Sequence, residues 1–235
     1  METSPIFSNI REVYRIIARG AMKADRSPDE VKLNAVTKTV GIEAIREAVD
    51  SGLRAFGENR VQEAKKKILS EEVRGMSEKL EWHLIGHLQK NKAKDAVRLF
   101  DLIHTLDSVE LADELNRQAE RLGKIQRVLV QVKLSEEESK HGVTEAGLMN
   151  LLARIKELKH LDLQGLMTIP PFFEDIGRVI PFFRRLKALR DKAEETGVAL
   201  PELSMGMSHD FEAAIQEGAT MVRVGTAIFG ERCGQ

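Results

Sequence analysis

The chain contains 235 residues, 42% of them hydrophobic, which is enough for a full core, and no break in composition suggests a second domain. Its formal net charge is -1, so nothing electrostatic favours a nucleic-acid partner, and no uncharged apolar run is long enough to span a bilayer. With one cysteine, Cys233, and no signal-peptide pattern, we expect a single domain over residues 1–235 of a cytoplasmic protein.

Apolar residues repeat with alternating strand and helix spacing along the whole chain. A helix at residues 8–22, with Ser8 as a candidate N-cap, comes first. Predicted strands follow at residues 31–39, 53–59, 80–87, 101–107, 126–134, 161–169, 201–206 and 219–225. Predicted helices lie between them at residues 41–52, 60–69, 90–99, 108–123, 144–158, 179–196 and 209–218. Two basic runs, AKKK at 64–67 and KNKAK at 90–94, fall on these helices and are interpreted as solvated faces.

Eight strands that alternate with helices predict a (β/α)8 barrel, or TIM barrel, which is an α/β fold with parallel strands. Here the barrel would carry an additional N-terminal helix. An open doubly wound sheet is the alternative, but no glycine-rich dinucleotide fingerprint follows the first strand. Because the functional site of such a barrel lies at the C-terminal ends of its strands, the residues at those ends are the candidates for function.

Lys38 stands at the end of the first predicted strand, in the run VKLNAVTKT. A period of two places Asn34, Val36 and Lys38 on one face of that strand. The ordinary interpretation is a solvated lysine at a strand end. The alternative is an amine that forms a Schiff base with a carbonyl compound, which requires a neutral nitrogen.

Arg223 stands near the end of the eighth predicted strand, which closes the barrel beside the first. Met221, Arg223 and Gly225 share a face, and if that face is inward we expect Arg223 to lie near Lys38. A permanent positive charge at that place would favour the neutral form of the amine. A salt bridge between Arg223 and an acidic neighbour is the other interpretation.

Small and polar residues follow the last two strands. Gly225 and Thr226 open a short terminal segment whose backbone N–H groups could face an anion. Ser208 is placed either to add a hydroxyl donor to that site or to cap the next helix. Asn59, at the end of the second strand, could either donate its amide to a ligand or cap the helix that follows. The role of Ser204 is left open.

The histidines give little further indication of function. His83 and His87 could line the site, but no Cys, Asp or Glu completes a metal-binding pattern around them, so structural roles are preferred and no metal is expected. His104 and His209 carry no further pattern.

Seven strings of the sequence together form a specific pattern. They are AVTKT at 35–39, FGENRVQEA at 56–64, WHLIGHLQKNK at 82–92, SKHG at 139–142, GLMTIP at 165–170, SMGMSHDFEAAI at 204–215 and RVGTAIFGER at 223–232. In this order they resemble the pyridoxal 5′-phosphate (PLP) homeostasis protein family, the YggS/PROSC-like proteins, whose barrel is like that of alanine racemase.

The resemblance implies that PLP is bound covalently to Lys38 as a Schiff base. It implies that Ser208, Gly225 and Thr226 bind the phosphate, that Arg223 faces the pyridine nitrogen and that Asn59 is a polar neighbour of the ring. We count Ser204 among the candidate cofactor-binding residues. Lys140, in the string SKHG, resembles a family lysine on a flexible loop that takes part in handing PLP on or in binding it a second time.

The rival to a carrier is a PLP-dependent amino-acid racemase or another enzyme of the same fold type. Racemisation needs a second acid or base, which in alanine racemase is a tyrosine of the partner subunit, whereas the only tyrosine here is Tyr14 in the N-terminal helix. An arginine also leaves the pyridine nitrogen unprotonated, which weakens PLP as an electron sink. A Schiff-base aldolase without PLP is a third interpretation, supported only by the fold.

We therefore expect a protein that holds and delivers PLP in vitamin B6 homeostasis, without robust catalysis of its own. PLP-dependent apoenzymes are the implied acceptors. We expect a monomer, with a dimer left open.

Overall fold

The computed structural model describes residues 4–76, 79–137 and 141–231. Eight parallel strands form a closed barrel in which each strand pairs with its neighbours in the sequence, and β8 pairs with β1. The strands are Lys32–Val36 (β1), Ala55–Glu58 (β2), Glu81–Leu84 (β3), Leu102–Leu106 (β4), Gln126–Gln131 (β5), Leu161–Met167 (β6), Glu202–Met207 (β7) and Met221–Val224 (β8). The predicted (β/α)8 barrel is confirmed.

Helices alternate with these strands on the outside of the barrel. In the described ranges they are Pro5–Lys23 (α1), Ile42–Asp50 (α2), Val61–Ile68 (α3), Glu71–Arg74 (α4), Ala93–Leu99 (α5), Val109–Arg121 (α6), Glu145–Lys156 (α7), Ile180–Glu194 (α8), Phe211–Gln216 (α9) and Thr226–Phe229 (α10). Single turns of 3-10 helix lie at Pro28–Glu30, Lys90–Lys92 and Ile176–Arg178. Within these ranges, no helix has the length and apolar character needed to cross a membrane.

The N-terminal helix completes the outer layer. α10, which follows the last strand, has only 4 residues and cannot cover β8 and β1 by itself. α1 packs against α9, α10 and α2 instead. Its buried residues recur at helical spacing, at Ile10, Val13, Ile17 and Ala21. The additional helix therefore takes the place of a full eighth helix.

Two boundaries differ from the predicted ones, at the start of α1 and at the end of β1. α1 begins at Pro5, and its N-cap is Ser4 rather than Ser8. β1 was expected to reach residue 39 but ends at Val36, because the chain turns at once and the N–H of Val40 donates to the carbonyl oxygen of Thr37 at 2.9 Å. The short helix α4 was not predicted.

The interior of the barrel is unusually polar. Barrels of this class are mostly filled with branched apolar side chains. Here a small apolar cluster of Leu102, Leu129, Met167 and Met221 shares the interior with buried polar side chains. These are Asn34, His83, His104, Ser204 and Arg223. The polar interior connects the two ends of the barrel, and one end carries the candidate site.

Candidate functional site

Lys38 lies in the tight turn that follows β1, at the C-terminal end of the barrel. The preceding residue, Thr37, continues the sheet, because its N–H donates to the carbonyl oxygen of Gly57 in β2 at 2.9 Å. The following residue, Thr39, has a φ of 63°, in the left-handed region that non-glycine residues rarely adopt. The turn ends the strand and exposes the Lys38 side chain only in part.

A buried ionic cluster holds this turn from one side. The Nζ of Lys67, in α3, donates to the carbonyl oxygen of Thr37 at 2.6 Å. The same ammonium donates to Glu58 Oε1 at 2.7 Å and to Glu63 Oε1 at 2.8 Å. The hydroxyl of Thr37 also donates to Glu58 Oε1, at 2.7 Å. The residue before Lys38 is thus tied to both β2 and α3.

The cluster also holds the turn from the other side. The N–H of Thr39 donates to Glu63 Oε1 at 2.6 Å, which supports the left-handed conformation of Thr39. Lys38 is therefore flanked by two residues whose backbone is fixed by side chains of the same cluster.

Burial of this cluster corrects one prediction. Lys65 and Lys66 are exposed, but Lys67 is only 9% exposed, so the interpretation of the run AKKK as a solvated face is wrong at Lys67. Lys67 follows the buried Ala64 by one helical turn and lies on the same face of α3.

The carboxylates of the cluster respond differently to their surroundings. Burial raises the pKa of Glu58, against the lowering effect of Lys67. Burial also has a raising effect on the pKa of Glu63, but the hydrogen bonds from Lys67 and Thr39 outweigh it, and the pKa of Glu63 is lowered.

A cavity of about 600 Å³ opens beside the turn, between the end of β1 and the end of β8. It is lined by Lys38, Gly225 and Thr226, together with apolar side chains such as Val40 and Phe229. Small-molecule sites in proteins commonly have volumes of about 300–1,000 Å³. Three of the residues predicted for the site are thus brought to one cavity.

Gly225 permits the two strand ends to approach closely. A Cβ atom at Gly225 would lie 3.3 Å from the carbonyl oxygen and the Cβ of Val36 in β1. A side chain at this position would require the end of β1 to move by a few tenths of an ångström. Glycine at this position is explained by that contact.

Ser208 joins the site through hydrogen bonds to the backbone. Its Oγ accepts from the N–H of Gly225 at 3.1 Å and from the N–H of Ala227 at 3.4 Å. The N-cap residue of α9 is Asp210, so the alternative in which Ser208 caps that helix is wrong. Two N–H groups at the start of α10 therefore converge on one oxygen atom, an arrangement that also suits an anion.

Arg223 lies inside the barrel and is 3% exposed. Its Nη1 donates to Ser204 Oγ at 2.6 Å, and its Nη2 donates to the carbonyl oxygen of Thr168 at 2.9 Å. Burial lowers the pKa of the guanidinium to about 10, and the charge of Asp210 opposes this shift. Arg223 is therefore a fixed cation at neutral pH.

The level of Arg223 relative to Lys38 differs from the expected one. The ladder between β1 and β8 pairs Arg223 with Asn34, and Lys38 lies 4 residues beyond Asn34. Because a strand rises about 3.3 Å per residue, Arg223 lies deeper in the barrel than Lys38. The two are not neighbours across the ladder, and a direct effect of the guanidinium on the amine stays a prediction.

Asn59 is not among the residues that line this cavity. Asn59 follows β2, and the N-cap residue of α3 is Arg60, so the alternative in which Asn59 caps that helix is wrong. The backbone of Asn59 packs against Gly86, where a Cβ atom would lie 2.1 Å from the Asn59 carbonyl oxygen. Lys140 lies outside the described residues.

Three side chains of metal-binding type meet in the loops after β3, β4 and β5. The ligand atoms of His87, Asp107 and His141 lie within 4.8 Å of one another, a grouping that the sequence did not reveal because the three come from separate strands. The rings of His87 and His141 are stacked, with centroids 3.7 Å apart and planes 11° apart. An ion bonded in the plane of one ring would lie well outside the plane of the other, so we assign no metal to them.

Comparison with known proteins places the chain in a family. The family described as alanine racemase, N-terminal domain, matches residues 10–233. A pyridoxal phosphate homeostasis protein of Aquifex aeolicus (strain VF5) is 46% identical over 224 residues, which are 95% of this chain and 96% of that protein. The chain belongs to the pyridoxal phosphate homeostasis protein family. A further member, from Escherichia coli (strain K12), is 42% identical over 227 residues, 97% of each chain. These relatives are named as homeostasis proteins rather than as enzymes, which agrees with the predicted class.

Solved structures agree with this family. PipY of Synechococcus elongatus PCC7942 with PLP bound has a TM-score of 0.81 at 40% identity, and the match covers 92% of this chain and 100% of that chain. An alanine racemase of Clostridium difficile 630 has a TM-score of 0.73 at 19% identity, and the match covers 97% of this chain and 58% of the racemase. The second likeness shows the fold alone, which is an alanine racemase-like barrel.

Proposed function

We propose that this chain binds PLP in the cavity beside Lys38, as a Schiff base with that lysine, and takes part in PLP homeostasis by holding and delivering the cofactor. The observation that carries the proposal is that the Lys38 side chain lines the same cavity as Gly225 and Thr226, the residues that open α10. An amine and a set of anion-binding N–H groups on one cavity suit a ligand that carries both an aldehyde and a phosphate.

The residues present fit this group. The N–H groups of Gly225 and Ala227 already converge on an acceptor oxygen, that of Ser208, so a phosphate oxygen would find its donors oriented. Gly225 leaves the approach free of a side chain. Arg223 is a permanent donor and suits a ring nitrogen that accepts, with Ser204 holding the guanidinium from behind. Asn59 is proposed as a polar neighbour of the ring.

The relatives support this assignment. PipY, which is 40% identical, has been solved with PLP bound, and the curated relatives are named for PLP homeostasis. When bound, PLP supplies a reactive aldehyde, and the protein would keep that aldehyde covalently occupied until an acceptor protein takes it. We propose that the whole barrel acts as one PLP-binding domain, that the carrier is a monomer and that PLP-dependent apoenzymes are the acceptors.

The proposal includes the absence of robust catalysis. Racemisation requires a second acid or base on the opposite side of the substrate from the lysine. Tyr14 is the only tyrosine of the sequence. It is 46% exposed on the outer helix α1 and does not line the cavity. Arg223 adds no proton to the ring nitrogen, because a guanidinium is not an acid at neutral pH.

Borohydride reduction followed by peptide mass spectrometry tests the proposal. Incubation with PLP is expected to give a phosphopyridoxyl adduct on Lys38, and the visible absorption of the bound cofactor is expected to disappear in Lys38→Ala. Lys65→Ala, which removes an exposed lysine of α3, is the matched control and should keep both signals. An adduct confined to other lysines, or racemase turnover with alanine at rates typical of enzymes, would overturn the proposal.

A further inference from the structure

A chain of hydrogen bonds crosses the interior of the barrel, starting from Arg223. Its Nη1 lies 2.6 Å from Ser204 Oγ. Ser204 Oγ lies 3.0 Å from His104 Nδ1. The other ring nitrogen of His104, Nε2, lies 3.0 Å from His83 Nδ1. The guanidinium is thus joined to two imidazoles that come from β4 and β3, on the far side of the barrel.

The far end of this hydrogen-bond chain faces the carboxylate of Glu81, near the N-terminal end of the barrel. His83 Nε2 lies 3.3 Å from Glu81 Oε1, although the geometry falls short of an aligned hydrogen bond. Glu81 also accepts from Arg127 Nη2 at 2.5 Å, and both side chains line a cavity of about 140 Å³. The hydrogen-bond chain therefore lies between a cation, Arg223, and an anion, Glu81.

Because the side chains of this hydrogen-bond chain are buried, the positions of their protons can be deduced. Arg223 is 3% exposed, His83 is 2% exposed, and Ser204 and His104 are 0% exposed. Buried donors and acceptors in proteins are nearly always paired, so the favoured arrangement is the one in which each hydrogen faces an acceptor. Arg223 can only donate, and therefore Ser204 Oγ accepts from it.

Two directions of donation remain for the rest of the chain. In the first, the Ser204 hydroxyl donates to His104 Nδ1, His104 Nε2–H donates to His83 Nδ1, and His83 Nε2–H points towards Glu81. In the second, His83 Nδ1–H donates to His104 Nε2 and His104 Nδ1–H donates to Ser204. The second direction leaves the buried Ser204 hydrogen without an acceptor among the contacts of the described residues.

The surrounding charges favour the first direction. In the first direction the negative ends of the hydroxyl and imidazole dipoles face Arg223, and the positive ends face Glu81. Burial, with His83 and Arg223 nearby, lowers the pKa of His104 well below its ordinary value, so this imidazole is neutral. Hydrogen bonds aligned in one direction polarise one another and strengthen the whole chain.

We propose that His104 and His83 are positioning residues for Arg223, both protonated on Nε2, which carry the polarisation of the Glu81 carboxylate to Ser204 and fix the guanidinium as an oriented cationic donor. Only the identity of the ligand that faces Arg223 rests on the proposed function. A ligand atom that meets this guanidinium must accept a hydrogen bond. The histidine chain would thereby select an unprotonated ring nitrogen without touching the ligand.

Nitrogen-15 NMR of the ligand-free protein, labelled on histidine, tests the proton positions directly. Two-bond correlations distinguish a ring protonated on Nε2 from one protonated on Nδ1, and the signals of His83 and His104 are identified by their loss in His83→Gln and His104→Gln. We expect the signals of both residues to show a proton on Nε2. His104 protonated on Nδ1 would overturn the inference, whether or not PLP binds.

Two variants of His104 test the positioning role. His104→Asn keeps an acceptor towards Ser204 but cuts the link to His83, whereas His104→Leu removes both. We expect the dissociation constant for PLP to rise about tenfold in His104→Leu, with a shifted absorption maximum of the bound cofactor, and to rise about threefold in His104→Asn. An unchanged absorption maximum and dissociation constant in His104→Leu would overturn the positioning role. If PLP does not bind to the unmodified protein, the proposed function fails, and the NMR result alone decides the inference.

Discussion

At the scale of single residues, Ser208 provides the acceptor for two backbone donors of the candidate site. The hydroxyl oxygen accepts from two N–H groups at the start of α10, and Gly225 leaves the space between β1 and β8 free of a side chain. A partly buried N–H group that loses its acceptor destabilises the folded state. The hydroxyl therefore stabilises the protein at the position that we propose for the phosphate.

We expect Ser208→Ala to lower the free energy of unfolding of the ligand-free protein by about 1 kcal/mol, because the N–H groups of Gly225 and Ala227 lose their shared acceptor. Urea denaturation without PLP or phosphate measures this change. Ser208→Thr keeps a hydroxyl and is the matched control, with a smaller expected loss. Equal stability of Ser208→Ala and the unmodified protein would contradict the proposed hydrogen bonds.

At the scale of elements, the turn after β1 depends on α3. Lys67 reaches from the helix to the carbonyl oxygen of Thr37 and to two carboxylates, one of which, Glu58, is fully buried. Removing one partner of a buried ion pair leaves an uncompensated charge, which costs far more than removing a solvated one. The helix therefore holds the candidate lysine in place through its neighbours.

We expect Lys67→Met to lower the free energy of unfolding by about 3 kcal/mol, because Glu58 and Glu63 lose the cation that they share. Lys65→Met is the matched control on the same helix, since Lys65 is exposed and forms an ion pair with the half-exposed Asp95, and we expect a change of less than about 0.5 kcal/mol. Chemical denaturation of the two variants measures the difference. Similar midpoints for both would show that the cluster does not stabilise the turn.

At the scale of the whole molecule, the polar interior links the charged N-terminal end of the barrel to the site at its C-terminal end. The contact with His83 and the ion pair with Arg127 lower the pKa of Glu81 to about 2, against the raising effect of burial. A carboxyl group with a lowered pKa in the folded state stabilises the protein above its unfolded pKa. That contribution is lost as the pH falls through the folded value.

We expect the pH dependence of stability to reflect this carboxylate. Between about pH 4.5 and pH 2 the protein should lose about 1 kcal/mol that is absent from Glu81→Gln, and this figure is well below the full shift because the Glu81 side chain is 40% exposed and screened by solvent. Urea denaturation of both proteins at pH 6 and pH 3 measures the difference. Because Glu58 has a raised pKa and the opposite sign, the comparison with Glu81→Gln is needed to isolate the effect. Identical pH profiles of the two proteins would contradict this assignment.

The sequence by itself determined the barrel and indicated Lys38 as the candidate for Schiff-base formation. The alternation of strand and helix spacing depends on which side chains are apolar, so it could be seen without contacts, and so could the position of Lys38 after an apolar strand. The position of Gly225 and Thr226 after the last strand, and then the family strings, made them candidates for phosphate binding, and the structure brings them to the cavity beside Lys38.

Only the tertiary structure decided how these residues are held. The sequence predicted that Lys67 is one of three solvated lysines, but the packing of α3 buries its side chain. His104 belonged to no sequence pattern, because its partner Ser204 lies 100 residues away in the sequence. The level of Arg223 depended on where β1 ends and on the register of β8 against it. Contacts between distant strands arise when the barrel closes, and the spacing of residues along any one strand does not determine them.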